Sequence, residues 1–376
     1  MEALFFISIA FIAYTYIVYP AIIIVWGLLF PRRVDKRYRS VPVSVVIAAR
    51  NEEHNIVARI ENLREQEYPA EMVEIIVVSD GSTDRTVELA RGFEDVRVLE
   101  SRTQAGKAGA LNLGVAQASH DIVVFADARQ RFAPNVIAEL VAFLNDETVG
   151  AVSGELVIEA GPGSEVSDGV GLYWAYEKLI RHSESAVASV VGSTGSISAI
   201  RRALYTPLEP RALLDDFLIP MRIVMAGYRV MFARSARAFD VASATSGHEF
   251  ARKVRTLAGN FQAMALEPRL VKPSANPLLF QFFSHKLARL VVPYFCITAL
   301  VSSALAPGAV MAAVFWLQAG FYLVGLLART PVGRTPPGKL LRLSWTFTVL
   351  NAAAVVGLWV FATGRDRLAW KRTPGV

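Results

Sequence analysis

The chain has 376 residues, 39 of them basic and 33 acidic, so charged side chains make up 19% of it against ~25% in ordinary soluble domains. The deficit is concentrated, because Ala3–Phe30, Leu290–Ala328 and Leu343–Gly364 contain no Asp, Glu, Lys or Arg. This pattern excludes a disordered chain and a plain cytosolic protein, and it describes a normally charged, enzyme-sized segment held between apolar ones.

A membrane-crossing helix needs about 20 apolar residues. The first and third stretches hold one each, and the second, broken at Ala306-Pro307-Gly308, holds two. The first lacks a basic start and an A-x-A-like cleavage site, so residues 1–30 read as a retained transmembrane anchor rather than a signal peptide. Arg32, Arg33, Lys36, Arg37 and Arg39 follow it directly. By the positive-inside rule, residues 31–260 face the cytoplasm and Met1 lies outside. The expected protein is integral to the plasma (inner) membrane. The net charge of +6 gathers largely in that one run, which suits anionic lipid, and no nucleic-acid partner is expected. Cys296 is the single cysteine, so no intramolecular disulfide forms.

Within the charged segment, Val41–Ala49, Glu74–Ser79 and Asp121–Ala126 are short, β-branched, continuously apolar runs, with helix-like stretches near 53–65, 83–92 and 107–118. The alternation predicts an α/β domain with a parallel sheet buried on both faces. Ligands of such sheets bind beyond the carboxyl ends of the strands. Chemistry is therefore sought in Arg50-Asn51-Glu52-Glu53, Asp80-Gly81-Ser82-Thr83-Asp84 and Asp127-Ala128-Arg129. Gly161–Gly171, with four glycines, reads as a mobile loop. Val190–Arg202, Leu213–Phe217 and a helix through Glu249–Thr256 come next.

Phe280–Leu290 mixes aromatics with Lys286 and Arg289. It predicts an amphipathic helix in the membrane interface, with its basic residues among the headgroups. The division is then an interface segment at 261–289 and a membrane region of about three helical segments at 290–376. Three crossings from a cytoplasmic domain would leave Arg365, Arg367, Lys371 and Arg372 outside, against the positive-inside rule. One C-terminal segment is therefore expected to be re-entrant or interfacial. His182, His248 and His285 have no metal-ligand spacing and read as structural or surface residues.

Taken in order, Ala49–Glu53, Val78–Asp84, Gly106–Asn112, Phe125–Asp127, Gly192–Gly195, Asp215-Asp216 and Arg252–Arg255 resemble the motifs of family-2 membrane glycosyltransferases, the group of hyaluronan, chitin and cellulose synthases and ceramide glucosyltransferase. The resemblance spans about residues 42–260. It implies a GT-A fold, a Rossmann-like nucleotide-sugar-binding domain, flanked by N- and C-terminal transmembrane helices. The implied reaction is inverting sugar transfer from a nucleotide-sugar, a UDP-sugar by preference.

Such transfer needs cations to meet the leaving diphosphate and a carboxylate to take the acceptor's proton. The resemblance gives Asp216 as the base with Asp215 in support. It gives Glu52, Asp80, Lys107, Asp127, Arg129, Arg252 and Arg255 as nucleotide-sugar contacts, and Gly192, Ser193 and Thr194 as the acceptor loop, with Arg201 and Arg202 beside it. The other reading of Asp80 is a helix-capping aspartate, which suits Asp84 better. Lys107, in a glycine-flanked turn opening a helix, suits phosphate. Arg252 and Arg255, at i and i+3, share one helix face. Asp127 matches the first Asp of the family's D-x-D metal motif, implying Mg²⁺ or Mn²⁺ across the diphosphate. Arg129 stands where the second acid belongs, and Thr256 where relatives carry the Trp of (Q/R)-x-x-R-W. The acceptor is then a growing polysaccharide, or a lipid in a single-addition glycolipid synthase. Four helices form a polymer path only narrowly or as an oligomer. A catalytically altered scaffold is the remaining alternative.

Overall fold

A computed structural model describes residues 1–101, 104–159, 168–241, 246–328, 330 and 338–365. The N-terminal helix α1 (Glu2–Leu29) is apolar enough to span a membrane. After it come β1 (Val43–Ala49), α2 (Ile56–Arg64), β2 (Val73–Ser79), α3 (Thr86–Arg91), β3 (Val96–Glu100), α4 (Gly106–Gln117) and β4 (Ile122–Asp127). Then follow β5 (Arg131–Phe132), α5 (Val136–Leu144), β6 (Val149–Glu159), α6 (Asp168–Val187), β7 (Ile197–Arg201), α7 (Asp215–Met225), β8 (Arg229–Val241) and α8 (Ser246–Leu266). The chain closes with α9 (Leu279–Leu305), α10 (Ala309–Leu327) and α11 (Gly338–Ala362), and all three, α11 from Leu341, are long and apolar enough to cross a membrane.

The strands make one sheet in the order β3-β2-β1-β4-β7-β6-β8-β5. The first four are parallel, as the apolar runs predict, with Val43–Ala49 pairing Val73–Ser79 in step. The second half is mixed and corrects the parallel expectation: β7 enters between β4 and β6 and runs antiparallel to both. Side chains fill both faces. Val45, Ile47 and Val77 pack on one side with Ile56, Ile60 and Leu140, while Val46, Ile76 and Val78 pack on the other with Leu111, Phe217 and Ile223. Each such side chain contributes roughly 1.5–3 kcal/mol by leaving water. A Cβ at Gly114 would lie 2.4 Å from Val46 Cγ1, so the glycine lets α4 sit directly on the sheet. This contact fixes where the start of α4 lies relative to the ends of β1, β2 and β4.

Part of the glycine-rich stretch, 160–167, lies outside the described residues. From Asp168 onward it is helix α6 and not loop. The side chains of 168–173, and that of His248, also lie outside what is described.

Candidate active site

The ends of the parallel strands meet the starts of α4 and α7 in one charged cluster. Lys107, second residue of α4, places its ammonium 3.0 Å from Asp127 Oδ1 at the end of β4 and 3.2 Å from Asp215 Oδ2 at the start of α7. Burial alone would lower the Lys107 pKa, but Asp127 and Asp215 outweigh it and hold the group well above its ordinary value. Asp216 is the next residue of α7. Burial, then Asp215, push its carboxyl up to about 6, against the opposing pull of Lys107 and Lys286. The cluster thus sets three carboxylates around one close lysine.

Asp80, 2% exposed, accepts the amides of Ala105 at 2.9 Å and Gly106 at 3.0 Å. It holds the turn that presents Lys107, where Gly106 takes φ +77°. The loops after β1 and β2 are tied together. Asn51, at φ +54°, accepts the Thr83 amide, and Glu52 N–H donates to Thr86 Oγ1 at 2.8 Å. Asp84 accepts from the amide and hydroxyl of Thr86 and from the Glu53 amide, as a capping residue does. Burial raises the Glu52 pKa, while the hydrogen bond from Asn55 and the charge of exposed Arg129 oppose it. Beneath this loop, Arg59 is buried with Nε and Nη2 unpartnered, over the Phe132 ring at 3.9 Å. Burial lowers its pKa to about 9, and Asp127 is the charge that opposes this.

The loop before β7 grips the acidic pair from the other side. Ser193 donates its amide, at 2.7 Å, and its hydroxyl, at 3.0 Å, to the Asp216 carbonyl. Thr194 joins Ser153 and Arg181, whose Nη1 and Nη2 donate at 3.1 and 2.7 Å. A Cβ on Gly195 would lie 3.1 Å from Asp216 Cβ and 3.3 Å from Lys107 Nζ; one on Gly192, at φ +113°, would lie 4.0 Å from Lys286 Nζ. Arg201 and Arg202 belong to an interior strand and the turn after it, and both are spent on backbone carbonyls, so they brace the end of β7 and not a helix under an acceptor. Arg252 and Arg255 lie on α8, which closes on the loop before Asp215: Leu213 N–H donates to Gln262 Oε1, and Gly259 makes room for Leu214.

The basic residues near 281–289 do not line the outward face of a separate interface helix. They lie on α9, which runs unbroken into the apolar span, and they face the protein. Arg289 pairs with Glu177. His285 bridges Glu177 at 3.1 Å and Glu184 at 2.7 Å, and Tyr19 of α1 donates to the same Glu184 oxygen at 2.5 Å. Burial pushes Glu177 up, but Arg289 and His285 more than reverse it and hold its carboxyl well below the usual range. Lys286 lies over the Phe217 ring. The sequence carries one signal for this junction: Glu177 and Glu184 recur at seven residues on one helix face.

Residues 44–205 match the family model described as Glycosyl transferase family 2. The chain is 26% identical over 314 residues to the probable glycosyltransferase YdaM of Bacillus subtilis (strain 168), covering 78% of this chain and 72% of that one. It is 36% identical over 136 residues to the beta-monoglucosyldiacylglycerol synthase of Nostoc sp., covering 34% and 29%. It is 25% identical over 231 residues to a poly-beta-1,6-N-acetyl-D-glucosamine synthase of Staphylococcus aureus, covering 59% and 55%. The chain thus spans well under two thirds of these last two relatives. The solved structure of the mannosyltransferase PcManGT from Pyrobaculum calidifontis, with GDP-Man and Mn²⁺, superposes with a TM-score of 0.73 at 24% identity, covering 96% of this chain and 99% of that one. The fold is GT-A.

Proposed function

Because residues 44–205 of this chain are a glycosyl transferase family 2 domain and the chain is a glycosyltransferase, we propose that it is an inverting enzyme moving a sugar from a nucleoside-diphosphate sugar, a UDP-sugar by preference, to a membrane-associated acceptor. The observation that carries this reading is Lys107 held between Asp127 and Asp215, beside a buried Asp216 whose carboxyl is pushed up to about 6. Asp216 takes the acceptor hydroxyl's proton. The oxygen forms its bond to the anomeric carbon from the face opposite the diphosphate, the carbon–oxygen bond to the diphosphate breaks, and the nucleoside diphosphate leaves with the electron pair. Lys107 meets the charge that develops on it. Glu52, Asp80 and Arg129 flank the nucleotide, and Arg252 and Arg255 reach the diphosphate from α8.

Among the described residues no three His, Cys, Asp or Glu gather as a metal site. Asp127, half-buried at a strand end beside Lys107, still fits an ion that takes one carboxylate and otherwise diphosphate oxygens and water, as Mg²⁺ does. Asp127 would hold Mg²⁺ or Mn²⁺, which would supply charge for the leaving group.

The acceptor reading is a lipid headgroup, supported by α9 serving both as apolar helix and as a wall near Asp216. A growing polysaccharide is the second reading, favoured by the longer match to the polymer synthase than to the glycolipid synthase. The test is nucleoside diphosphate release by the purified protein from a panel of UDP- and GDP-sugars, followed by partition of the labelled product between chloroform and water. Absence of release with every donor sinks the reading and leaves the scaffold alternative.

The orientation we propose puts Met1 outside and the domain in the cytoplasm. α9 starts against the domain at Phe282–Phe217, and α10 returns from it. The far half of α11 lies on α8, with Gly357 against Leu257 and Ala258 and Phe361 stacked on Phe261 at 6.1 Å. An end held there supports α11 as the segment that does not cross, which keeps the basic C-terminal tail inside. A cysteine placed at the C-terminus should react with a membrane-impermeant maleimide only after lysis.

A further inference from the structure

Two glycines bring the loop 192–195 close against the acidic pair. A Cβ on Gly195 would crowd Asp216 Cβ, Asp215 Oδ2 and Lys107 Nζ at 3.1–3.3 Å, at the pole where the donor's diphosphate is read above. A Cβ on Gly192 would touch the Asp216 carbonyl at 3.6 Å, the Phe217 ring at 3.7 Å and Lys286 Nζ at 4.0 Å, which sets that ammonium beside the backbone of Asp216. The other charged groups nearby are mostly committed. Arg181 is bonded to Thr194 and Ser153, Arg289 to Glu177, and Glu155 to Lys178. Lys286 differs. It is half-buried, its ammonium lies 5.6 Å over the Phe217 ring, the nearest charges acting on it include Asp216, Glu177, Arg181 and Arg289, and it has no hydrogen-bond or ion-pair partner among the described residues. An ammonium placed so can give its protons to a ligand oxygen in place of water. It stands on α9, the helix that continues into the membrane, so what reaches it comes from the membrane boundary.

We propose that Lys286 is the acceptor-side positioning residue of this enzyme: from its place beside Gly192 and the backbone of Asp216, its ammonium hydrogen-bonds a second oxygen of the lipid headgroup whose hydroxyl Asp216 deprotonates. The inference rests on the reading of Asp216 as base. It narrows the acceptor class to amphiphiles whose heads carry at least two oxygen functions a few atoms apart, such as a glycosyl or glycerol head, and it disfavours a lone alcohol. The second oxygen can belong to a sugar or to a phosphodiester, and the experiment separates these.

Nucleoside diphosphate release is measured with phosphatidylcholine vesicles doped with a long-chain alkanol, monoglucosyldiacylglycerol or phosphatidylglycerol, for wild type, Lys286→Met and Lys286→Arg. UDP and GDP binding to each protein is followed by calorimetry, and each protein's unfolding by heating in detergent. The expected result is stimulation by one of the two-oxygen lipids above that by the alkanol. Lys286→Met should raise the half-saturating lipid about tenfold or more, the usual size of a lost charged hydrogen bond, and Lys286→Arg should recover part of it. Nucleotide affinity should stay within about twofold, which a general loss of structure would not allow. Equal half-saturation in wild type and both variants overturns the proposal, as does release that no vesicle stimulates. If Lys286→Met does not fold, Lys286→Arg decides: a half-saturation unchanged from wild type with every lipid overturns the proposal. Absence of release with any donor instead overturns the glycosyltransfer reading itself, and this one with it.

Discussion

Two ionic clusters, one between α6 and α9 and one at the strand ends, are built on opposite terms. At the helix junction, Glu177 and Glu184 face Arg289 and His285, one imidazole bonds both carboxylates, and Tyr19 completes the set. Charges there are matched, and Glu184 is fully buried. At the strand ends, Asp127 and Asp215 share Lys107, their one ion-pair partner among the described residues, and Asp216 beside them has no ion pair there. The first cluster is matched in charge by the chain's own residues, with Glu184 Oε2 alone of its carboxylate oxygens lacking a hydrogen-bond partner among the described residues. The second is short of positive charge, and Asp216 absorbs the deficit as a raised pKa. Where a protein completes an ion cluster it is fastening helices, and where it leaves one incomplete the missing partners are ligands.

Substitutions that act differently on the two clusters test that contrast. The largest effect is expected from Asp216→Asn, which removes the base. Sugar transfer should fall by roughly 10²–10⁴-fold, the range for losing a general base, while UDP or GDP binding by calorimetry stays nearly intact; unchanged turnover refutes the assignment. Glu184→Ala should do the reverse. It leaves His285 and Tyr19 facing an empty site, at a cost of about 3–5 kcal/mol for breaking a buried pair, read as a lower unfolding midpoint in detergent with nucleotide affinity kept.

The pH profile should show the incomplete cluster directly. Asp216 works only as the carboxylate, so kcat should fall about tenfold per pH unit below about 6 and level off above it. An ordinary aspartate would put that limb near 4. The opposite sign holds for stability at the junction. Glu177 sits below its unfolded value, so the stability it contributes is present above the ordinary carboxylate range and is lost as pH falls through its folded pKa. The smallest effect is expected from Asp215→Asn, which removes one of three like charges: unfolding should change by under ~1 kcal/mol, against the loss predicted for Glu184→Ala. A comparably large destabilisation would erase the distinction between the clusters.

The parallel half of the fold was legible because Val43–Ala49, Val73–Ser79 and Ile122–Asp127 are buried on both faces and so are apolar throughout. The insertion of β7 was not, since its pairing with β4 and β6 depends on partners distant in sequence. Lys107, Asp127 and Asp215 were named from their motifs, and the structure brings them within hydrogen-bonding reach. Arg289 departs from the headgroup expectation for a physical reason. A basic residue beside an apolar span is satisfied by headgroups in most settings. What overrides that here is a carboxylate 112 positions away, Glu177 for Arg289, and composition carries no trace of it.

One helix, α9, is at once membrane element, clasp for Glu177 and Glu184, and wall of the cleft at Phe217. A proteolytic cut after Asn276 would therefore not release a working water-soluble enzyme. It would strip His285, Lys286 and Arg289 from the body, leave two buried glutamates without counter-charges, and uncover Phe217. Solubility and activity cannot be separated by trimming this chain, and its purification calls for detergent or nanodiscs around the whole molecule.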